Sequence, residues 1–172
     1  MTLKINQATI DLIKHFESLH DGDLSRVGLQ PKMCPAGIYT IGYGRAVMDA
    51  KGNYCRGASG KAEAYRQYDT ITEQQAEQFL AEDLTAFGAD VERLLLMPVS
   101  ENEFGAMVSL AYNIGIHAFA TSSVLRYFNK DDMPRAANAF LLWNKGTVNG
   151  KKVVLPGLVR RRQAERLLFL HD

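Results

Sequence analysis

The sequence predicts an α+β protein: a small N-terminal β-lobe, a larger helical lobe, a long helix joining them and a ligand cleft between. Three observations predict it. Strand-type alternation before residue 70 is confined to residues 37–47. Helical periodicity fills most of the chain after residue 72. The length, 172 residues, suits one domain burying roughly 70% of its unfolded surface. The expected division is a single domain over 1–172, with the β-lobe at about 20–71 and the helical lobe at 1–19 and 72–172.

Residues 6–18 predict the first helix. Asn6 is its N-cap, and Ile10, Leu12, Ile13, Phe16 and Leu19 form an apolar face with Glu17 on its border. Residues 20–36 are irregular. In 37–47, Tyr39, Ile41 and Tyr43 point one way and Ile38 and Thr40 the other, and Gly42 and Gly44 leave the strand face around Thr40 bare. Residues 49–71 are polar and predict loops with short elements. A capping box at Thr72 and Gln75 opens the long helix, and a second at Ser100 and Glu103 opens an apolar helix ending at Gly115. Shorter helices are expected near 122–129 and 133–143, a hairpin turn at Asn149-Gly150, and a last helix over about 157–170.

The net charge of +1 gives no sign of a nucleic-acid partner. Basic residues gather late, at Lys145, Lys151, Lys152, Arg160, Arg161, Arg162 and Arg166. They read as a solvated face or as a surface for anionic polymers. No apolar run reaches the ~18 residues that cross a membrane, and polar residues interrupt any signal-peptide core, which predicts a cytoplasmic start. Cys34 and Cys55 read as thiols or as a single bridge. The cysteines and histidines have no zinc spacing, so no metal or cofactor is expected.

Glu17 is the first candidate for chemistry. A helix C-terminus favours the protonated carboxyl, the form a general acid must hold; the alternative is a surface glutamate. Cys34 can act as nucleophile, base or small buried hydrophobe. Thr40 can orient a water or simply suit a strand.

"FE" on the first helix, followed by "CPAGIYTIGYG", resembles the phage-type lysozymes (glycoside hydrolase family 24, the phage endolysins). "LAYNIGIHAFATSSVLRYFN" and "LPGLVRRRQAERLLF" continue the resemblance in the family's order over most of the chain. It implies a lysozyme-like fold and a muramidase that hydrolyses the β-1,4 bond between N-acetylmuramic acid and N-acetylglucosamine in peptidoglycan. It implies Glu17 as general acid. Cys34 stands where many members carry aspartate, and Thr40, six residues on, helps hold the attacking water. A thiol is a weaker acid than a carboxyl, with a reference pKa of about 8.5, so Cys34 is expected to orient water more than to deprotonate it. Gly42, Gly44, Tyr112 and Asn113 match substrate-binding positions, and Arg161 is an electrostatic partner for Glu17. The resemblance also implies a monomer acting on glycan strands, released from the host cytoplasm by a holin.

Two departures stand out. Glu17 and Cys34 are seventeen positions apart, more than in the compact members, so "HDGDLSRVGLQPKM" loops out and makes Asp21 and Asp23 rival second carboxylates. Arg45 stands where many members have histidine, so that residue's pairing is lost or replaced. The rival functions are a lytic transglycosylase and a peptidoglycan-binding module without catalysis. A Cys34–Cys55 bridge would block the site.

Overall fold

The computed structural model describes residues 3–19 and 21–171. The chain forms two compact units, one of residues 17–83 and one of residues 1–16 and 84–172.

The larger unit is helical. Helix α1 (Gln7–Glu17) starts at Asn6, whose side-chain oxygen accepts from the Thr9 amide at 3.0 Å, so the expected N-cap is present. Next in this unit come the later turns of a long helix described below, and α4 (Glu101–Ile114), buried from Phe104 to Ala111. The capping box of α4 forms in full: Ser100 Oγ accepts from the Glu103 amide, and Glu103 accepts from the Ser100 amide. A Cβ at Gly105 of α4 would come 1.8 Å from Thr9 Oγ1, so only glycine lets α1 and α4 approach this closely.

Four short elements follow: α5 (Ile116–Ala120), α6 (Ser123–Phe128), α7 (Met133–Phe140) and the hairpin β4 (Lys145–Val148) and β5 (Lys151–Val154). Asn149 and Gly150 both have positive φ, 49° and 76°, in the two-residue hairpin turn the sequence predicts. The last helix, α8 (Pro156–Phe169), packs on α4 and α7. Phe169 meets Phe128 and Phe140 edge-on or tilted, at 6.4 and 5.4 Å between ring centres. The helix α5 was not expected, because five residues after Gly115 carry too little periodicity to read.

The smaller unit holds a three-stranded antiparallel sheet in the order β1 (Lys32–Met33), β2 (Tyr39–Ile41), β3 (Arg45–Ala46). The expected continuous strand over 37–47 is therefore two strands and a tight turn. Gly42 and Gly44 have φ of 63° and 85°, which bends the chain back on itself. They shape a turn and do not clear a strand face.

Helix α2 (Gly57–Gln67) occupies a stretch expected to be mostly loop. Its start has no side-chain cap and two glycines, a weak local signal. Packing makes it a helix: Ala64 is buried, and a Cβ at Gly60 would lie 2.5 Å from the Cys55 carbonyl carbon. The long helix α3 (Glu73–Glu92) opens with the expected Thr72–Gln75 capping box and continues into the larger unit. The looped-out segment is held by paired backbone bonds between Leu29 and Ile71 and by an Arg26–Asp69 ion pair at 3.0 Å.

Arg45 fastens β3 to α3. Its guanidinium donates to both Asp83 oxygens, to Glu82 and to the Phe79 carbonyl, and stacks 4.4 Å above the Phe79 ring. Burial works against its charge, but the bonds to Asp83 and Glu82 outweigh it and hold the guanidinium above its ordinary range. Arg45→Ala is expected to cost about 2–3 kcal/mol in urea unfolding, since it strands a half-buried carboxylate. The clasp should also weaken in acid. Arg45 lowers the Glu82 carboxyl, so the stability that pair adds is present above the ordinary glutamate value of about 4.3 and is lost as pH falls through the depressed one. In Arg45→His the opposite limb appears: a paired imidazole stabilises below about pH 6.5 and is lost as pH rises through its raised folded value.

Candidate active site

Glu17 is the last residue of α1. Ser18 then takes a left-handed φ of 58°, which ends the helix there. The Glu17 carboxylate lies against the turn between β2 and β3, where an added Cβ at Gly44 would sit 2.9 Å from Glu17 Oε2. The sequence had these two as candidates for separate reasons, and the structure brings them together. Gly44→Ala is expected to strain a φ of 85° and displace the carboxylate. Turnover of cell walls should fall by about 10²-fold with only a modest loss of stability, roughly 1–2 kcal/mol, by thermal unfolding.

Gly42, on the other side of Tyr43, serves packing. A Cβ there would approach the Ala76 Cβ of α3 to 3.1 Å.

Cys34 and Thr40 lie on one hairpin. The register pairs Lys32 with Thr40 and Met33 with Tyr39, and the Cys34 amide donates to the Ile38 carbonyl at 2.8 Å. Residues directly opposite share a face, so Lys32, Cys34, Ile38 and Thr40 lie on one side of the hairpin. Cys34 and Thr40 are then diagonal neighbours, with Cα atoms roughly 7–8 Å apart. The Thr40 hydroxyl donates to the Lys32 carbonyl at 3.0 Å. Its proton is thereby committed, and its oxygen is turned toward accepting.

Both cysteines are thiols, so the Cys34–Cys55 bridge is not formed. Cys55 is buried, and burial pushes its thiol up, with Glu63 and Asp49 adding to the effect. The rival carboxylates have local work: Asp21 accepts from the Asp23 amide, and Asp23 accepts from the amide and hydroxyl of Ser25. The Ser25 bonds hold the Asp23 carboxyl below its ordinary value. An open cavity of about 480 Å³, lined by residues from Asp49 to Arg66, includes none of Glu17, Cys34 and Thr40. Among the described residues no group of three or more His, Cys, Asp or Glu side chains could hold a metal ion, and no helix is long and apolar enough to cross a membrane.

The remaining candidates lie in the helical unit. Tyr112 stacks edge-on against Phe87 at 5.3 Å. Asn113 is exposed near the end of α4. Arg161 is buried, lies over the Phe16 ring at 5.9 Å and pairs with Glu165 at 3.2 Å. The reading of the late arginines as a solvated or polymer-binding face is corrected for two of them, Arg161 and Arg162. Both point into the core, while Arg166 is half-buried and bonds Asn138, and Arg160 is exposed. The signal was present: Arg161, Arg162 and Glu165 at i, i+1 and i+4 share a helix face with Leu158 and Leu168.

The phage lysozyme family model matches residues 25–165. An endolysin of Acyrthosiphon pisum secondary endosymbiont phage 1 is 36% identical over 167 residues, covering 97% of this chain and 98% of that endolysin. An endolysin of Bacillus phage B103 is 38% identical over 168 residues, and there the match covers 98% of this chain but only 54% of the phage protein. The solved muramidase domain of SpmX from Asticaccaulis excentricus superposes with a TM-score of 0.76 at 34% identity, covering 99% of both chains. The α+β architecture is that of the lysozyme fold, and the chain belongs to the phage lysozyme family, as a lysozyme-type hydrolase.

Proposed function

We propose that the protein is an endolysin that hydrolyses the β-1,4 bond between N-acetylmuramic acid and N-acetylglucosamine in peptidoglycan. The observation that carries this reading is the Glu17 carboxylate at a helix end, lying against the glycine turn that directly follows β2, the strand that carries Thr40 and pairs with the arm leading to Cys34. Glu17 protonates the glycosidic oxygen as the bond to the anomeric carbon breaks and an oxocarbenium-like sugar forms. A water attacks that carbon and releases its proton to bulk solvent, from which Glu17 regains the proton it gave to the leaving sugar. Thr40, its own proton held by Lys32, accepts a hydrogen bond from this water. Cys34 flanks it on the same hairpin face. Gly42, Gly44, Tyr112 and Asn113 contact the glycan. The enzyme acts as a monomer that waits in the host cytoplasm until a holin opens the membrane, then degrades the periplasmic wall and lyses the cell.

Mass spectrometry of digested, purified cell walls tests the reaction. Hydrolysis adds one water to each cut, so products should carry reducing N-acetylmuramic acid. Anhydro-sugar ends would mean the intramolecular attack of a lytic transglycosylase, and absence of any cut would leave only binding. In the same assay Cys34→Ala is expected to lower turnover by about 10²-fold and Asp23→Asn to change it little. A dead Asp23→Asn beside a near-normal Cys34→Ala would move the second catalytic group into the looped-out segment.

A further inference from the structure

Among the described residues Arg162 is the largest fully buried side chain. Placing a guanidinium in a core is costly unless its hydrogen-bonding groups are matched. Its partners have a particular arrangement. Glu165, itself fully buried, receives Arg162 along one edge, with Nη2 donating to Oε1 at 3.0 Å and Nε 2.8 Å from Oε2. Ser109 Oγ and Arg161 Nε also donate to Glu165 Oε1, at 2.7 and 3.2 Å. The three donors converge on Oε1, and together with the Nε–Oε2 ion pair they keep the Arg162 guanidinium beside the carboxylate. From that position Nη2 reaches the exposed Asn113 and donates to its Oδ1 at 2.9 Å.

This contact settles which way the Asn113 amide faces. Arginine has only donors, so the atom it meets must be the amide oxygen. The NH2 group is then turned away from Arg162. A glycan with N-acetyl groups offers carbonyl oxygens that need donors, and an unconstrained asparagine would present its oxygen about as readily as its nitrogen.

We propose that Arg162 is a positioning residue for substrate: it fixes the Asn113 amide so that its NH2 donates to an N-acetyl carbonyl of the bound glycan. The proposal rests on the functional reading above. Arg162 itself stays in the core and touches no sugar, and Glu165 and Ser109 act one step further back by holding Arg162.

Steady-state kinetics on soluble, un-cross-linked peptidoglycan strands test it. Asn113→Asp keeps an acceptor for Arg162 and removes both donors. Its melting temperature should equal or exceed that of the wild type, its KM should rise about tenfold and its kcat should stay within about twofold. Arg162→Met should raise KM in the wild-type background and leave it unchanged in an Asn113→Ala background, because its effect passes through Asn113. An Asn113→Asp variant with wild-type KM overturns the proposal, as does an Arg162→Met effect of the same size in both backgrounds. If Arg162→Met does not fold, the Asn113→Asp result decides alone. Wild-type protein that fails to cut the strands overturns the functional reading instead, before any variant is compared.

Discussion

Glu17→Gln is expected to lower the clearing rate of purified, outer-membrane-stripped Gram-negative cell walls by about 10³-fold or more, with thermal unfolding nearly unchanged. The amide keeps the shape of the carboxyl and cannot give a proton to a leaving oxygen. The leaving sugar must then depart as an alkoxide, which is the step a general acid exists to avoid. The fold has little reason to notice, because the amide fills the same half-buried space at the helix end beside Gly44. Glu17→Asp separates position from chemistry. It keeps the acid and draws it back by one methylene from the place where Gly44 lets it lie, so it should retain more activity than the amide but far less than the wild type. A Glu17→Gln enzyme that clears walls at a tenth of the normal rate would sink the assignment of the proton donor.

The local rules were legible in the sequence at three helix starts. Asn6, Thr72 with Gln75, and Ser100 with Glu103 all form the caps their residue types predict. Asn149-Gly150 makes its hairpin for the same reason: the two positive φ values suit few other residue pairs. What was not legible depended on distant partners. Helix α2 has poor intrinsic propensity and exists through the packing of Gly60 against Cys55 and the burial of Ala64. The 37–47 segment alternates like one strand, and the difference between a strand with bare positions and a glycine turn lies in φ, which alternation does not encode. Arg45 illustrates a third kind of gap. Its departure from the family pattern was visible, but its replacement pairing with Asp83 and Glu82 requires knowing that α3 passes beside β3. The candidate site was read from local motifs, and the Glu17–Gly44 contact joins two of its residues. The hold of Arg162 on Asn113 was not readable, since it links residues 49 positions apart.

Glu165→Ala is expected to destabilise the protein by about 3–5 kcal/mol, lowering the melting temperature by roughly 6–20 °C for a chain of this size. The side chain is fully buried between two guanidiniums, and truncation leaves Arg161 and Arg162 facing each other without the carboxylate that links them. Burial pushes the Glu165 carboxyl up, and although Arg162, Arg161 and Ser109 pull against it, its net direction remains upward. The fold therefore disfavours this charge relative to water even with its partners in place. A network of that kind is costly to break and contributes little by being present. The contrast to measure follows directly. A triple variant, Arg161→Met, Arg162→Leu and Glu165→Met, should recover most of the stability that Glu165→Ala loses, because no buried charge is then left unmatched. It should still bind glycan poorly, because nothing remains to orient Asn113. Stability regained together with wild-type KM would show that the buried charges serve neither role. Stability regained with a raised KM is the expected pair of results, and it would mean that the core keeps three charges for the orientation of one exposed amide.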